Sequence, residues 1–511
     1  MLYRDVPGLK ILRAAFIAEG VAYPLNWTTR RIAGDALPAH CLVSGHVDPG
    51  IESGTTAGAD SPSSAPIAFE MRLPTRWNGR FFYQGSDDTQ EDVPEAFGRN
   101  TGAGGFDDNA LSSGFAVLSS EAGRPAAGPG AAGDEAGALR QAALGAQALI
   151  KTYYGKRPDR SYFVGCSAGG REGLLFAQRW PALFDGVVAV APILRGTDAA
   201  LAAAWTLQRF TAAAPRARKR QTVLSRAFSM EELFMVAQGI LKQCDALDGV
   251  EDGFVMDMAA CRFDPAALQC ARGKRKGCLQ KDEVAALADA MAGPRGPQGQ
   301  PLYAPWPWDP GIAAPGWRAW NLGAAGPGSE PDPRHLTRVD QVLARALAGS
   351  PGPVPNALAL DFVGDLPRLQ AARDADAAFV DAPLEAFRQR WGKLLLLHGA
   401  ADPVVSAWAT VDYLQRLRRA RIDPQAPGDM EFARAYIVPG MNHCAGGPAT
   451  DRFDALAALV DWVEFDRAPD RIEAHGSAVL RDESRPLCPW PQVARYRGEG
   501  DVHHSASYVC R

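Results

Sequence analysis

Residues 160–190 constrain this chain more than any comparable stretch. SYFV at 161–164 is a short apolar run suited to a buried strand, and it leads directly into Gly165-Cys166-Ser167-Ala168-Gly169. A helical stretch at 171–179 follows, then a second buried strand at 184–190. Strand, sharp turn, helix, strand is a βαβ unit, the connection that parallel sheets require. The turn fits G-x-S-x-G. Its small residues let a strand reverse tightly into a helix, lifting the Ser167 hydroxyl clear of the sheet. The N–H of Ala168, at the helix N-terminus, can then donate to an oxyanion. A Gly-rich turn with an incidental serine is the alternative, and the pentapeptide alone does not decide between them.

A serine hydroxyl is a weak nucleophile unless a base takes its proton and a carboxylate holds that base. LLLLHGAADP at 394–403 reads as a buried strand and turn that carries Asp402 into a strand-exit loop, and VPGMNH at 438–443 carries His443 out of another strand. Open α/β sheets present their functional groups at such exits. The chain order Ser, Asp, His is that of the α/β-hydrolases. Among eight histidines, His398 reads as a hydrogen-bonded loop residue supporting the Asp402 turn, and His503 and His504 lie in the C-terminal tail. His443 is the best base. The expected class is α/β, with acyl transfer to water as the reaction; a peptidase would share the same three residues.

Residues 65–85 alternate as strands do, with Trp77-Asn78-Gly79 as a hairpin-type turn, and 131–154 has helical spacing. From about 193 to 384 Pro and Gly become frequent, and Trp306, Trp308, Trp317 and Trp320 cluster. The simplest organisation is one sheet interrupted by an inserted domain of roughly 190 residues, large enough for its own core. The expected boundaries are 1–192 for the first part of the catalytic domain, 193–384 for the insertion and 385–511 for the second part. A net charge of -4 argues against nucleic acid or an anionic membrane as partner. No apolar run approaches the ~18 residues of a membrane span.

Nine cysteines add a constraint. Cys244 with Cys261, Cys270 with Cys278, and Cys488 with Cys510 are spaced as local loop staples that an oxidising compartment would close. Zinc fits poorly, since no CxxC pair or nearby His set accompanies them. Scattered reduced thiols are the alternative. Cys166 and Cys444 flank Ser167 and His443; a disulfide there would tether the two loops, against Cys166 as nucleophile or two unpaired thiols. Cys41 is left over. A signal peptide is not visible, because Arg13 interrupts the apolar stretch 11–17 and Glu19 stands where a cleavage site would be. The expectation is a periplasmic or secreted protein whose leader is missing from this sequence, against a cytosolic one.

In CDALDGVEDGF at 244–254, three aspartates fall within a tight Gly turn, where their charges repel unless a hard cation sits among them. The spacing is not that of an EF-hand. Side chains of Asp245, Asp248 and Asp252 with carbonyls of Val250 and Phe254 could form much of a Ca²⁺ shell, against a solvated acidic turn.

The segments YYGKRPDRSYFVGCSAGGREG, FDGVVAVAP, CDALDGVEDG, VPGMNHCAGGP and RPLCPWPQVARYRGEGD resemble the tannase and feruloyl esterase family, and the resemblance covers most of the chain. It implies an α/β-hydrolase fold with a large inserted lid domain, Ser167, Asp402 and His443 as triad, a Cys166–Cys444 bridge and a structural Ca²⁺ on the loop above. It implies a small-molecule aromatic ester as substrate, of feruloyl, galloyl or terephthaloyl type. The lid residues Trp320 and Arg334 fall near substrate-contacting positions, with lid core and a solvated surface as their alternatives. One departure stands out. The second oxyanion donor, assigned to Asp88, lies in Gly85-Ser86-Asp87-Asp88 where family members are Gly-rich, and an ionised carboxylate there would raise the barrier. A catalytically weak or inactive binding protein on the same scaffold is therefore the rival reading. PAHCLVSG lacks the partner cysteine expected before it, which fits a shortened N-terminus and a free Cys41.

Overall fold

The computed structural model describes residues 6, 8–20, 37–47, 66–86, 93–98, 109–122, 135–215, 224–272, 276–323, 332–419, 431–477 and 480–511. Strands β1 (Leu9–Ile17), β2 (His40–Val47), β3 (Ile67–Pro74), β4 (Arg80–Gln84), β5 (Ala116–Ser120), β6 (Arg160–Cys166), β7 (Gly186–Val190), β8 (Lys393–Gly399) and β9 (Ala433–Val438) form one sheet, in the order β1-β2-β3-β5-β4-β6-β7-β8-β9. The first three run antiparallel, β3 is antiparallel to β5, and every neighbour from β5 to β9 is parallel.

The parallel strands are buried on both faces, which is why GVVAV and KLLLLHG read as continuous apolar runs rather than as alternations. Phe81, Tyr83, Phe163 and Val187 point into one core, shared with Leu139 of α1 (Glu135–Tyr154) and Phe176 of α2 (Ala168–Arg179). Phe82, Tyr162 and Val188 point into the other.

Residues 77–79 turn the chain, but β3 and β4 do not form the hairpin that the alternation suggested. β5 lies between them, antiparallel to β3 and parallel to β4. The reason is burial: β4 feeds both cores and so belongs at the sheet centre, between parallel neighbours, whereas a tight turn could deliver it only antiparallel to β3. The helix expected at 131–154 is described from 135 onward, as α1; residues 131–134 lie outside the described residues.

Between β7 and β8 the chain makes a long excursion carrying α3 (Gly196–Ala213), α4 (Met230–Cys244), α5 (Lys281–Ala292), α6 (Pro315–Asn321), α7 (Arg334–Ala346), α8 (Leu366–Asp381) and α9 (Glu385–Gln389). It holds its own apolar cluster, which includes Phe210, Phe228, Leu233, Ile240, Leu287 and Trp317. Disulfides Cys244–Cys261 and Cys270–Cys278 close loops inside it. Helix α4 starts on a capping box, in which Ser229 and Glu232 satisfy each other's backbone N–H groups. At the far end Phe379, Val380 and Phe387 pack into the core beneath the main sheet. The sheet is that of an α/β-hydrolase, and the excursion is its lid. Helices α10 (Ala407–Arg419) and α11 (Ala455–Phe465) then cover opposite faces of the sheet. Two small sheets end the chain, and Cys488–Cys510 ties the last strand back. Cys41 is buried and free. Among the described residues, no helix is long and apolar enough to cross a membrane.

Candidate active site

Ser167 sits at φ 63° and ψ -117°, a backbone conformation that non-glycine residues hold only at a cost. Its neighbours make the bend possible. A Cβ added at Gly165 would lie 2.5 Å from the Gly169 carbonyl oxygen, and one at Gly169 would lie 2.6 Å from that of Ser86. Strand β7 fixes the turn, since the Ser167 N–H donates to the Val190 carbonyl at 2.9 Å. Ala168 is the first residue of α2, where an N–H has no partner within the helix and faces outward.

Asp402 leaves β8 in a tight turn and is fully enclosed. Its Oδ1 accepts from the Val404 and Val405 N–H groups at 2.7 and 3.2 Å, and its Oδ2 accepts from His443 Nδ1 at 2.8 Å. His398 Nε2 lies 3.2 Å from the same Oδ2, while its Nδ1 lies 2.7 Å from the Thr410 hydroxyl. Burial alone would raise the Asp402 carboxyl. The charge of His443 and the hydrogen bonds from both histidines outweigh it and hold the carboxyl well below the usual range. His398, read from sequence as support for the turn, therefore also touches the carboxylate itself.

Cys166 and Cys444 are joined, with Cα atoms 6.1 Å apart across 278 residues of chain. The residues next to Ser167 and His443 are thus covalently linked. A ring nitrogen of His443 lies within 4.8 Å of both sulfurs, which as a disulfide are not a metal site.

Beside the Ser167 turn, where Gly169 packs on Ser86, the Ser86 N–H donates to Glu172 Oε2 at 3.1 Å, and the Ser86 hydroxyl donates to Oε1. Glu172 is buried on α2. The Ser86 N–H is therefore committed to a carboxylate. Asp87 and Asp88, where that donor was expected, lie outside the described residues.

The lid presents Trp320 to His443, with ring centroids 6.1 Å apart in an edge-on arrangement. His335 also packs against Trp320, at 5.1 Å, and the exposed Arg334 guanidinium lies 5.8 Å from its centroid. Burial brings His335 down to about 4, so it is a neutral ring, and its Nε2 donates to the Pro403 carbonyl at 3.0 Å. Neither His335 nor Glu172 carried a sequence signal; each matters through a contact made far along the chain.

In the acidic loop, Asp245 accepts from the N–H groups of Asp252 and Gly253 at 3.0 and 2.9 Å. Asp252 Oδ2 pairs with Arg485 Nη2 at 2.9 Å, both side chains being fully buried, and accepts from the Tyr508 hydroxyl. Asp248 Oδ2 is buried with no hydrogen-bond partner. Burial, and next the charge of Asp252, push its carboxyl up to about 7. This donor set suits a hard cation: clustered carboxylates, one with an orphaned oxygen, on a loop whose carbonyls include Val250 and Phe254. One oxygen from each aspartate is not gathered within 4.8 Å of the others.

The sequence model of "Tannase and feruloyl esterase" matches residues 53–511. The chain belongs to the tannase and feruloyl esterase family. It is 37% identical to mono(2-hydroxyethyl) terephthalate hydrolase of Piscinibacter sakaiensis, a match covering 93% of this chain and 85% of that one. It is 28% identical to a probable feruloyl esterase of Arthroderma benhamiae, over 87% of this chain and 82% of the other. The fold matches the crystal structure of feruloyl esterase B from Aspergillus oryzae at a TM-score of 0.75 and 21% identity, covering 99% and 98% of the two chains. This tannase-family protein is accordingly a carboxylic ester hydrolase.

Proposed function

We propose that this esterase cleaves aromatic carboxylic esters through an acyl-enzyme on Ser167. The observation that carries the reading is the hydrogen bond from His443 to the buried Asp402 at 2.8 Å, on a loop tied by a disulfide to the strained turn that presents Ser167. Ser167 attacks the ester carbonyl as His443 takes its proton through the ring nitrogen that Asp402 does not hold. Asp402 stabilises the imidazolium, and the Ala168 N–H donates to the oxyanion. His443 then protonates the leaving alcohol and activates water for deacylation. The Trp320 ring near His443 gives an aromatic acyl group a partner to pack on, in line with the feruloyl and terephthalate esters named for its relatives.

An ester panel tests this: methyl ferulate, methyl gallate, a terephthalate monoester and p-nitrophenyl acetate, beside an anilide for peptidase activity. Turnover of at least one aromatic ester above the acetate, with alkyl fluorophosphonate labelling of the protein, is the expected result. The second reading, a weak or inactive binding protein, is favoured by the engagement of the Ser86 N–H with Glu172. Absence of both turnover and labelling would overturn the acyl-enzyme reading in its favour.

Asp245, Asp248 and Asp252, with the Val250 and Phe254 carbonyls, are proposed to hold a structural Ca²⁺. Its charge would neutralise the clustered carboxylates, and acyl transfer takes place elsewhere. Calcium at about 100 times its Kd should add about 2.7 kcal/mol to stability. The melting temperature is therefore expected to fall by several degrees on chelation and to return with calcium; no shift in a stripped sample would remove the site. The four disulfides support a periplasmic or secreted location.

A further inference from the structure

The lid does not simply rest above the acid and base; it is hydrogen-bonded into the loops that carry them. The Ser406 hydroxyl donates to the Pro305 carbonyl at 2.5 Å, and the Ser406 N–H donates to the Tyr303 hydroxyl at 3.3 Å. Asp309 accepts from the Gly311 N–H on Oδ1 at 2.7 Å and from the Gly440 N–H on Oδ2 at 2.9 Å. Asn442 then donates to both the Gly311 carbonyl, at 3.3 Å, and the Ala401 carbonyl, at 3.1 Å. Ala401 immediately precedes Asp402, and Asn442 immediately precedes His443.

Asp309 is the centre of this arrangement. It is 2% exposed, and the two contacts given above are both to neutral backbone N–H groups. Burial pushes its carboxyl up to about 6, the strain expected of a carboxylate enclosed with only amide partners. A helix-cap role explains only half of what it does. Oδ1 caps the short helical turn Pro310–Ala313, whereas Oδ2 reaches a backbone N–H 131 residues away. The contact leaves no slack. A Cβ at Gly311 would lie 2.4 Å from the Ala401 Cβ and 2.7 Å from the Gly440 carbonyl oxygen, so lid, acid loop and base loop meet there at backbone distance.

We propose that Asp309 is a positioning residue for catalysis: by gripping the backbone at Gly440 from the lid, it holds the His443 loop where the imidazole meets Asp402, beside the turn of Ser167 to which that loop is tied by the Cys166–Cys444 disulfide. The inference rests on the reading of Ser167, Asp402 and His443 as the triad. Asp309 touches none of the reacting atoms and acts through the loop alone.

The test uses the full chain, with Asp309→Ala, Asp309→Asn and Gly311→Ala compared with wild type. The measurements are kcat and KM on the best aryl ester, the rate of labelling by an alkyl fluorophosphonate, and the melting temperature. A misplacement of about 1 Å can cost about 100-fold in rate, so Asp309→Ala should lower kcat by about 10- to 100-fold with KM changed far less. Labelling should slow by a similar factor, because that small probe needs the nucleophile and base but little of the lid. Asp309→Asn keeps one acceptor oxygen and should fall between wild type and Asp309→Ala; Gly311→Ala should reproduce the kcat loss from the other side of the contact. Assays run well below each melting temperature separate positioning from stability. A lowered melting temperature with wild-type kcat and labelling rate would overturn the proposal, as would a rise in KM alone. If Asp309→Ala does not fold, wild-type kcat in folded Asp309→Asn and Gly311→Ala overturns it equally. A Ser167→Ala protein with full turnover would instead remove the triad reading beneath it.

Discussion

Ser167→Ala is expected to lower kcat on an aryl ester by about 10⁶-fold and to abolish fluorophosphonate labelling, with the melting temperature unchanged or raised. The size follows from the loss of the covalent route. Without the hydroxyl, only binding and the oxyanion donors remain, and these alone give a residual acceleration of about 10³- to 10⁴-fold over water. The stability expectation has a separate origin. Ser167 occupies a left-handed conformation enforced by the Val190 hydrogen bond and the packing of Gly165 against Gly169. Alanine meets the same backbone strain but leaves no hydroxyl to desolvate at a site only 6% exposed. Active-site titration against p-nitrophenyl acetate measures the kinetic half, and calorimetry the other. Loss of activity by only a few-fold would show that another group is the nucleophile.

Asp402→Asn is expected to cost about 10⁴-fold in kcat, through the tautomer of the base. Oδ1 accepts two backbone N–H groups, so an asparagine must keep its carbonyl oxygen there and turn its NH₂ toward the Oδ2 side. That NH₂ then faces His443 Nδ1, which has to accept. The ring proton moves to the nitrogen that should receive the proton of Ser167. His398 Nε2, 3.2 Å from the same position, would meet a second donor and adds a stability penalty. The wild-type pH dependence has a definite sign. The folded carboxyl is held below its ordinary value, so Asp402 contributes stability that is present above the unfolded carboxylate range near pH 4 and is lost as pH falls below it. A melting-temperature profile between about pH 6 and pH 3 should fall more steeply in wild type than in Asp402→Asn.

Much of this architecture was open to a reader of the residues, for definable reasons. The parallel strands are apolar throughout because both faces are covered, so SYFV and KLLLL could be placed without knowing their partners. Ser167, Asp402 and His443 each follow such a run. The three local cysteine pairs are separated by only 17, 8 and 22 residues. The exchange of β4 and β5 was not legible, because an alternating pattern tells which faces are buried and not which strand lies alongside. Glu172, Asp309 and His335 were silent for a related reason. Each acts on backbone or side chain 68 to 131 residues away, and no local spacing encodes such a meeting.

The Cys166–Cys444 bond closes a covalent ring across a sequence separation of 278, beginning beside Ser167 and ending beside His443. Every residue of the lid lies inside it. The entropy of closing a ring grows only with the logarithm of its length, so doubling the circumference costs about 0.6 kcal/mol. Such a clasp is almost indifferent to how much polypeptide it encloses. Descent can lengthen, trim or exchange the inserted portion while Ser167 and His443 stay leashed to one another through their neighbouring cysteines. A graft from a relative of different size inherits that leash, provided it carries an equivalent of the 303–311 segment to seat against the strand ends.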